Sequence, residues 1–352
     1  MDAQVDECHS PADVCSPELA LRARWAIRAQ AREVFITGIG SVLSGYANPG
    51  APALSQEAFP GGSIPPESFE HLINARRTRR LSPYVRLSLA ATAAALADAG
   101  IAPEDKSFGE KTAALLASTG GSGSYCIDYY RPLVAEGLLA ANPMLFAEGV
   151  PNAAAAHLSM TFGLTGPCQT FIGTVTAGLD ALRLAALRIQ SGEWQRAVVC
   201  VGEEYHPLTD SAWEKAGVFP PGLVSTEGAV AFVLESAQSA AARGVAGKAE
   251  ITGSVARSGP SLLPALLGVL ESAASAGALL SAPMSACLAK LEDAAVARTR
   301  HPAPIRASRG PAFSLGPVAA LASWVAHEAG ASALALAADP VGQATGVAVR
   351  RV

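Results

Sequence analysis

GLTGPCQTFIGTVTAGLDALRLAALRIQSG, residues Gly163 to Gly192, decides how this chain of 352 residues is read. Its first half, Cys168-Gln-Thr-Phe-Ile172, is short, β-branched and aromatic, which predicts a buried strand. In its second half Leu179, Leu182, Ala186 and Ile189 recur at helical spacing, and Gly192 follows as a stop signal. Between them Gly173-Thr-Val-Thr-Ala-Gly178 is a tight strand-to-helix turn of small residues. Such a turn lifts one side chain to the head of a helix, where backbone N–H groups and the helix dipole favour an anion or a thiolate. The residue at the tip is Val175, flanked by Thr174 and Thr176, and a valine can do no nucleophilic chemistry.

Gly166-Pro167, the turn, and Ala177-Gly-Leu-Asp-Ala-Leu182 together resemble the nucleophile elbow of the β-ketoacyl-ACP synthases of the thiolase superfamily. Those enzymes carry a pattern like GP-x-x-T-x-x-x-A-C-x-x-G, and its acyl-accepting Cys falls on Val175. The chain-length factors of type II polyketide synthases are more similar still, with Gly-Thr-Gln at the tip where this chain has Gly173-Thr174-Val175. Cys168, seven residues upstream in the strand, is a poor substitute for the nucleophile. The resemblance extends over much of the chain. Val34 to Gly45 (VFITGIGSVLSG), Leu81 to Gly100 and Glu227-Gly-Ala229 with the following Arg243-Gly244 match the family in order and spacing. It implies a thiolase-like five-layer αβαβα fold of two similar halves. Residues 33–249 form the first half and 250–352 a shortened second, after an extension of residues 1–32 holding a short helix from Glu18 to Arg32.

The second half departs from the family's chemistry. No His occurs between His206 and His301, so the expected His-Gly-Thr-Gly-Thr segment is absent. Arg306 to Ala320 resembles the second site, with Ala312-Phe313 where the family has Gly-His. His301 lies among loop prolines and His327 on a later helix, so neither replaces it. The terminal glycine loop is reduced to Asp339-Pro-Val-Gly342. Condensation needs a thiolate to carry the acyl chain and histidines to polarise the malonyl thioester. With all of them gone, little activity is expected, because such groups act as a unit.

Length fits about two domains' worth of material, and half the residues are hydrophobic. The net charge is −4 with scattered Lys and Arg, which argues against nucleic-acid binding. Arg76-Arg-Thr-Arg-Arg80 is the local exception; it suits an acidic carrier protein or a phosphopantetheine phosphate, or is a plain solvated loop. Six cysteines without CxxC or zinc spacing read mostly as small core residues in a reducing cytoplasm. No metal or cofactor is expected. No apolar run reaches membrane-spanning length, and residues at the start lack a secretory h-region.

Gly38-Ile-Gly40 lacks the third glycine of a dinucleotide fingerprint, and Thr119-Gly-Gly-Ser-Gly123 lacks the Lys of a phosphate loop, so both read as turns. His157 on an apolar helix reads as a satisfied core histidine. Glu203-Glu204 sit on a strand and face opposite ways, so they form no catalytic dyad. Tyr129, Tyr130, Leu133, Met144 and Phe146 fall in a segment that in the family lies at the dimer interface. There they either gate an acyl tunnel shared with the partner or form an ordinary hydrophobic interface.

The resemblance implies a catalytically silent, chain-length-factor type subunit. It would pair with an active ketosynthase subunit and meet an acyl carrier protein bearing a phosphopantetheine-bound acyl chain. The setting would be polyketide, aryl-polyene or unusual fatty-acid synthesis. Two other readings stay open: an acyltransferase or malonyl decarboxylase with a relocated site at Cys168, His157 or His206, and a non-enzymatic acyl-binding homodimer.

Overall fold

The strands that read as unbroken apolar runs do so because both of their faces are covered. In the strand Ala113–Ser118, Ala113, Leu115 and Ala117 point to one buried layer and Ala114 and Leu116 to another. In Arg196–Glu203 the same alternation separates Ala197, Val199 and Val201 from Val198 and Cys200. This period of two sorts the whole interior into three hydrophobic layers. The computed structural model describes residues 31–53, 61–102, 105–217, 221–273, 276–306, 312–328 and 330–352. The expected extension and its Glu18–Arg32 helix lie outside these, except that Arg32 N donates to Gln190 O at 3.0 Å.

In chain order the first half comprises β1 (Val34–Leu43), β2 (Tyr46–Pro49), α1 (Pro83–Asp98), β3 (Ala113–Ser118), α2 (Gly123–Glu136), α3 (Pro143–Gly149) and α4 (Ala153–Phe162). It continues with β4 (Cys168–Ile172), α5 (Ala177–Gln190), β5 (Arg196–Glu203), α6 (Pro207–Lys215), β6 (Gly228–Ser236) and α7 (Ala237–Arg243). The second half comprises β7 (Ala249–Ser258), α8 (Leu262–Ser272), β8 (Ala278–Ser281), α9 (Ala286–Val296), β9 (Ile305–Arg306), α10 (Leu315–His327), β10 (Ser332–Ala338) and β11 (Gln343–Arg351). The strand order β4-β3-β5-β6-β1 of the first half recurs as β9-β8-β10-β11-β7 in the second. The halves therefore share one topology, and antiparallel pairing of Phe35 with Glu250 and Ile36 with Ala249 joins them through β1 and β7.

Helices α5 and α10 lie in the central layer between the two sheets. Helices α1 and α4 cover the outside of the first sheet, and α8 and α9 the outside of the second. The result is the five-layer αβαβα thiolase-like arrangement. Gly38 and Gly40 serve packing, since a Cβ on either would fall 2.3 or 2.2 Å from the backbone of Ala95 in α1. Their lack of side chains lets α1 lie directly on β1.

Two expectations need correction. The strand Cys168–Ile172 is not buried: among the described residues β4 is the edge of the sheet, hydrogen-bonded to β3 alone, with Cys168 and Ile172 exposed. The residue types that suit a buried strand suit an edge equally well. Of the four cysteines described, only Cys200 is buried; Cys126 is half-buried and Cys168 and Cys287 are exposed.

Candidate functional site: a filled elbow beside an apolar face

The strand-to-helix turn sits at the head of α5. β4 ends at Ile172, Gly173 N donates to Ser118 O at 3.2 Å, and Ala177 N donates to Thr174 O at 3.0 Å as the helix begins. Val175 and Thr176 are each 2% exposed. Thr174 Oγ1 donates to the carboxylate of Asp339, which lies fully buried in the turn between β10 and β11. Asp339 Oδ1 in turn accepts from Val341 N at 3.0 Å and Gln343 N at 3.1 Å. A further tie joins Thr345 Oγ1 of β11 to Asp180 Oδ1 of α5 at 2.8 Å. The anion near the head of this helix is thus the chain's own carboxylate, where helix polarity favours negative charge.

The second element reaches the same place because Gly178 lacks a side chain. A Cβ there would fall 2.6 Å from Ser314 O and 3.0 Å from Val318 Cγ1, so the heads of α5 and α10 meet backbone to helix. Phe313 precedes Ser314 with φ +44°, a left-handed conformation unusual for an aromatic residue. It is buried, and its ring lies 5.9 Å from that of Trp213 on α6, tilted by 43°. Val175 and Phe313, the positions matched to the family's nucleophile and second histidine, therefore flank the junction of α5 and α10.

Glu203 fastens this junction to the rest of the sheet. Its Oε1 accepts from Thr119 N at 2.8 Å, from Ser314 N at 3.3 Å and from Ser314 Oγ. Its Oε2 accepts from Ser118 Oγ at 3.1 Å and Gly120 N at 3.4 Å. Burial raises the carboxyl above its usual range while these donors pull it back. The turn after β3 that carries no phosphate-loop lysine is thus a cradle for Glu203. Glu204 takes different partners, Tyr84 N at 3.2 Å and Ser124 N at 3.1 Å, as opposite-facing neighbours must. Glu227 accepts from Ile64 N at 2.9 Å and Tyr205 N at 3.2 Å, and burial pushes it up to about 7.

Four histidines are engaged away from the elbow. His157 is half-buried rather than in the core, its Nε2 2.9 Å from Glu148 Oε2. His206 caps α6 by accepting from Leu208 N at 3.2 Å. His301 Nε2 meets Leu270 O at 2.9 Å, and His327 Nε2 meets Ala51 O. Cys168, His157 and His206 share no hydrogen bond among the described residues. Where the His-Gly-Thr-Gly-Thr segment is expected, β8 runs through Ala282-Pro-Met-Ser285 into α9. Among the described residues no cluster of three or more His, Cys, Asp or Glu can hold a metal.

Tyr129, Tyr130 and Leu133 lie on α2, and Met144 and Phe146 on α3. Tyr129 stacks edge-on to Tyr130 at 5.1 Å and tilts against Phe146 at 5.5 Å. No residue of α2 is buried, and Tyr130, Val134, Leu138, Leu139, Met144 and Phe146 are all exposed, Leu139 fully. A contiguous apolar surface of this kind marks an interaction site. Arg76, Arg77, Arg79 and Arg80 are exposed as well, near this face through the Tyr125 Oη bond to Arg80 O at 2.7 Å. Sequence reasoning missed Glu203, Trp213 and Asp339 as members of the junction; only the Thr119–Gly123 turn hinted that something must be cradled there.

Comparison with known proteins places this geometry. The model of the beta-ketoacyl synthase N-terminal domain matches residues 61–240, just over half of the chain. Nodulation protein E of Rhizobium leguminosarum bv. trifolii is 31% identical over 199 residues, covering 52% of this chain and 49% of that protein. A putative polyketide beta-ketoacyl synthase 1 of Streptomyces halstedii is 30% identical over 211 residues, with 52% and 49% covered. The chain thus spans about half the length of these relatives. Among solved structures, the ishigamide ketosynthase/chain length factor superposes with a TM-score of 0.77 at 16% identity, covering 92% of this chain and all of that one. A type II PKS ketosynthase, solved with its acyl-carrier protein and bound to the hexaketide, gives 0.75 at 18%, again covering 92% and 100%. At these identities the likeness is one of fold, and no helix among the described residues is long and apolar enough to cross a membrane. The family model, matched over more than half of the residues, shows it: the chain belongs to the beta-ketoacyl synthase family.

Proposed function

We propose that this chain is a non-condensing, chain-length-factor type subunit that pairs with an active ketosynthase and helps shape its acyl tunnel. The observation that carries the reading is the filling of the elbow: Val175 is buried at the tip, and Phe313, which the resemblance sets at the second histidine, is buried with its ring against Trp213. Thr174 is tied to Asp339, which leaves its hydroxyl engaged rather than free at the tip. The unpaired edge of β4 and the apolar face of α2 and α3 support a partner on that side. The neighbouring ketosynthase/chain length factor pair and the ketosynthase–carrier complex make such partners chemically reasonable for this chain. Carrier-linked polyketide, aryl-polyene or fatty-acid chains are the substrates this reading assigns to the complex.

The test is co-expression with the ketosynthase encoded beside it, followed by native mass and product analysis. A one-to-one complex is expected, with Val175→Ala leaving product output unchanged and Leu139→Asp weakening assembly about tenfold or more. A stable homodimer indifferent to the ketosynthase would refute the pairing. Loss of output in Val175→Ala, with the complex intact, would refute the silent elbow.

A further inference from the structure

We propose that a cavity of about 880 Å³ bounded by α5, β7 and the end of α8 is a binding site for a phosphate-bearing organic ligand, separate from the elbow. Its wall includes Arg183 and Leu187 of α5, the stretch Thr252 to Arg257 of β7, Ser272 at the end of α8, and parts of β10 and β11. Arg183 lies six residues into α5 from its first residue, Ala177, about 9 Å along the helix axis, so the cavity is set back from the elbow. Its volume falls within the roughly 300–1,000 Å³ typical of small-molecule sites.

The charge of the lining selects the ligand class. Arg183 and Arg257 are its charged members, and among the described residues no Asp or Glu lines it. In a protein of net charge −4, this is a local well of positive charge. Arg183 is half-buried, its Nε is enclosed without a hydrogen-bond partner, and it forms no ion pair among the described residues. A guanidinium taken partly out of water without a counter-ion is costly, and a bound anion removes that cost. Arg257 is held in place: one of its terminal nitrogens donates to Ala256 O at 3.0 Å and the other to Ser272 Oγ at 3.3 Å. That leaves an oriented arginine at the rim, with Nε and the remaining N–H groups free for an oxyanion. Ser254 supplies a hydroxyl, while those of Thr252 and Ser272 donate to Ala348 O at 3.3 Å and Gly268 O at 2.7 Å; Gly253, Ala273 and Ala348 leave room for the body of the ligand.

A fork of guanidinium donors with a neighbouring hydroxyl suits a tetrahedral phosphate, which accepts several charge-assisted bonds at once. A bare inorganic ion would leave most of the cavity empty, so the ligand is a phosphate ester with a body of its own. Two sources share that chemistry: a nucleoside phosphate, and a phosphopantetheine-type chain.

Titration calorimetry on the full chain at low salt, with AMP, 4′-phosphopantetheine and adenosine as probes, tests the site. At least one phosphorylated probe is expected to bind saturably, adenosine about tenfold or more weaker, and the stronger phosphorylated probe identifies the source. Arg183→Gln should weaken that probe about tenfold or more, and the fold-safe surface variant Arg257→Gln severalfold. Val175→Ala should leave it unchanged. Absence of saturable binding by both phosphorylated probes up to millimolar concentration would overturn the proposal. So would unaltered affinity in both arginine variants with unchanged circular dichroism.

Discussion

The head of α5 and the face of α2 and α3 are opposites, although all three helices belong to the first half of the chain. At the head, Val175, Thr176, Phe313 and Asp339 are buried, and the polar groups there are tied to Glu203, Asp339 or Thr174. On the face, α2 buries nothing and Leu138, Leu139 and Met144 stand in solvent. The contrast separates two demands on a ketosynthase fold. A reacting site needs exposed, adjustable groups with tuned protonation. The silent subunit proposed above needs a rigid frame and a sticky surface, the parts assigned here to the head and the face. The head should therefore carry stability with no role in turnover, and the face should carry association with no role in stability.

The largest effect that tests this division is removal of the Glu203 carboxylate. Glu203→Leu strands the N–H groups of Thr119, Gly120 and Ser314 and the hydroxyls of Ser118 and Ser314 inside the protein. Unfolding in urea should show a loss of about 4 kcal/mol, summing the cost of several orphaned donors. Leu139→Asp on the face should change the same midpoint by no more than about 0.5 kcal/mol. Equal losses from the two substitutions would erase the distinction between frame and surface.

Much of the frame was legible before any coordinates. The apolar runs Thr112 to Ser118 and Arg196 to Gly202 read as buried strands, and the small-residue turn at Gly173 announced a helix head. The replacement of Gly-His by Ala312-Phe313 is visible in sequence, because the flanking Ser-Leu-Gly keeps the register. The exposure of β4 was not legible, since Thr, Phe and Ile favour an edge strand as readily as a central one. Nor was the Thr174–Asp339 bond, whose partners are 165 residues apart and meet only when the two halves close on each other. Periodicity reports local burial. It carries no information on which distant loop supplies the counter-group.

The next effect in size concerns Glu227, which shares the end of the first sheet with Glu203. Its carboxyl is raised from 4.5 to about 7 by burial, against the pull of the Ile64 and Tyr205 N–H groups. Between those values the folded protein holds a proton that the unfolded chain has lost. The stability it contributes is therefore fully present below about pH 4.5 and is lost as pH rises through about 7. At about 1.4 kcal/mol per unit, the window is worth roughly 3 kcal/mol. Urea midpoints at pH 5 and pH 8 should show this loss in the wild type and most of it removed in Glu227→Gln. An unchanged pH dependence in the variant would mean that Glu227 is solvated, and that the frame around the head is looser than its hydrogen bonds indicate.

The smallest effect is the sharpest, because it reverses a usual ranking. In most settings a buried Phe truncated to Ala is better tolerated than one truncated to Gly, since glycine adds chain entropy to the unfolded state. Phe313 sits at φ +44°, where any Cβ crowds the following carbonyl and glycine does not. Both truncations lose the ring contact with Trp213 and open a cavity, costing about 3 kcal/mol or more. Phe313→Gly should nevertheless be the more stable of the two by about 1 kcal/mol, read from paired urea curves. That order means the chain holds the aromatic ring in the junction against a backbone preference, as expected if filling the elbow is selected. The opposite order would mean that the turn relaxes once the ring is gone, leaving Phe313 as ordinary packing with no claim on the silence of the site.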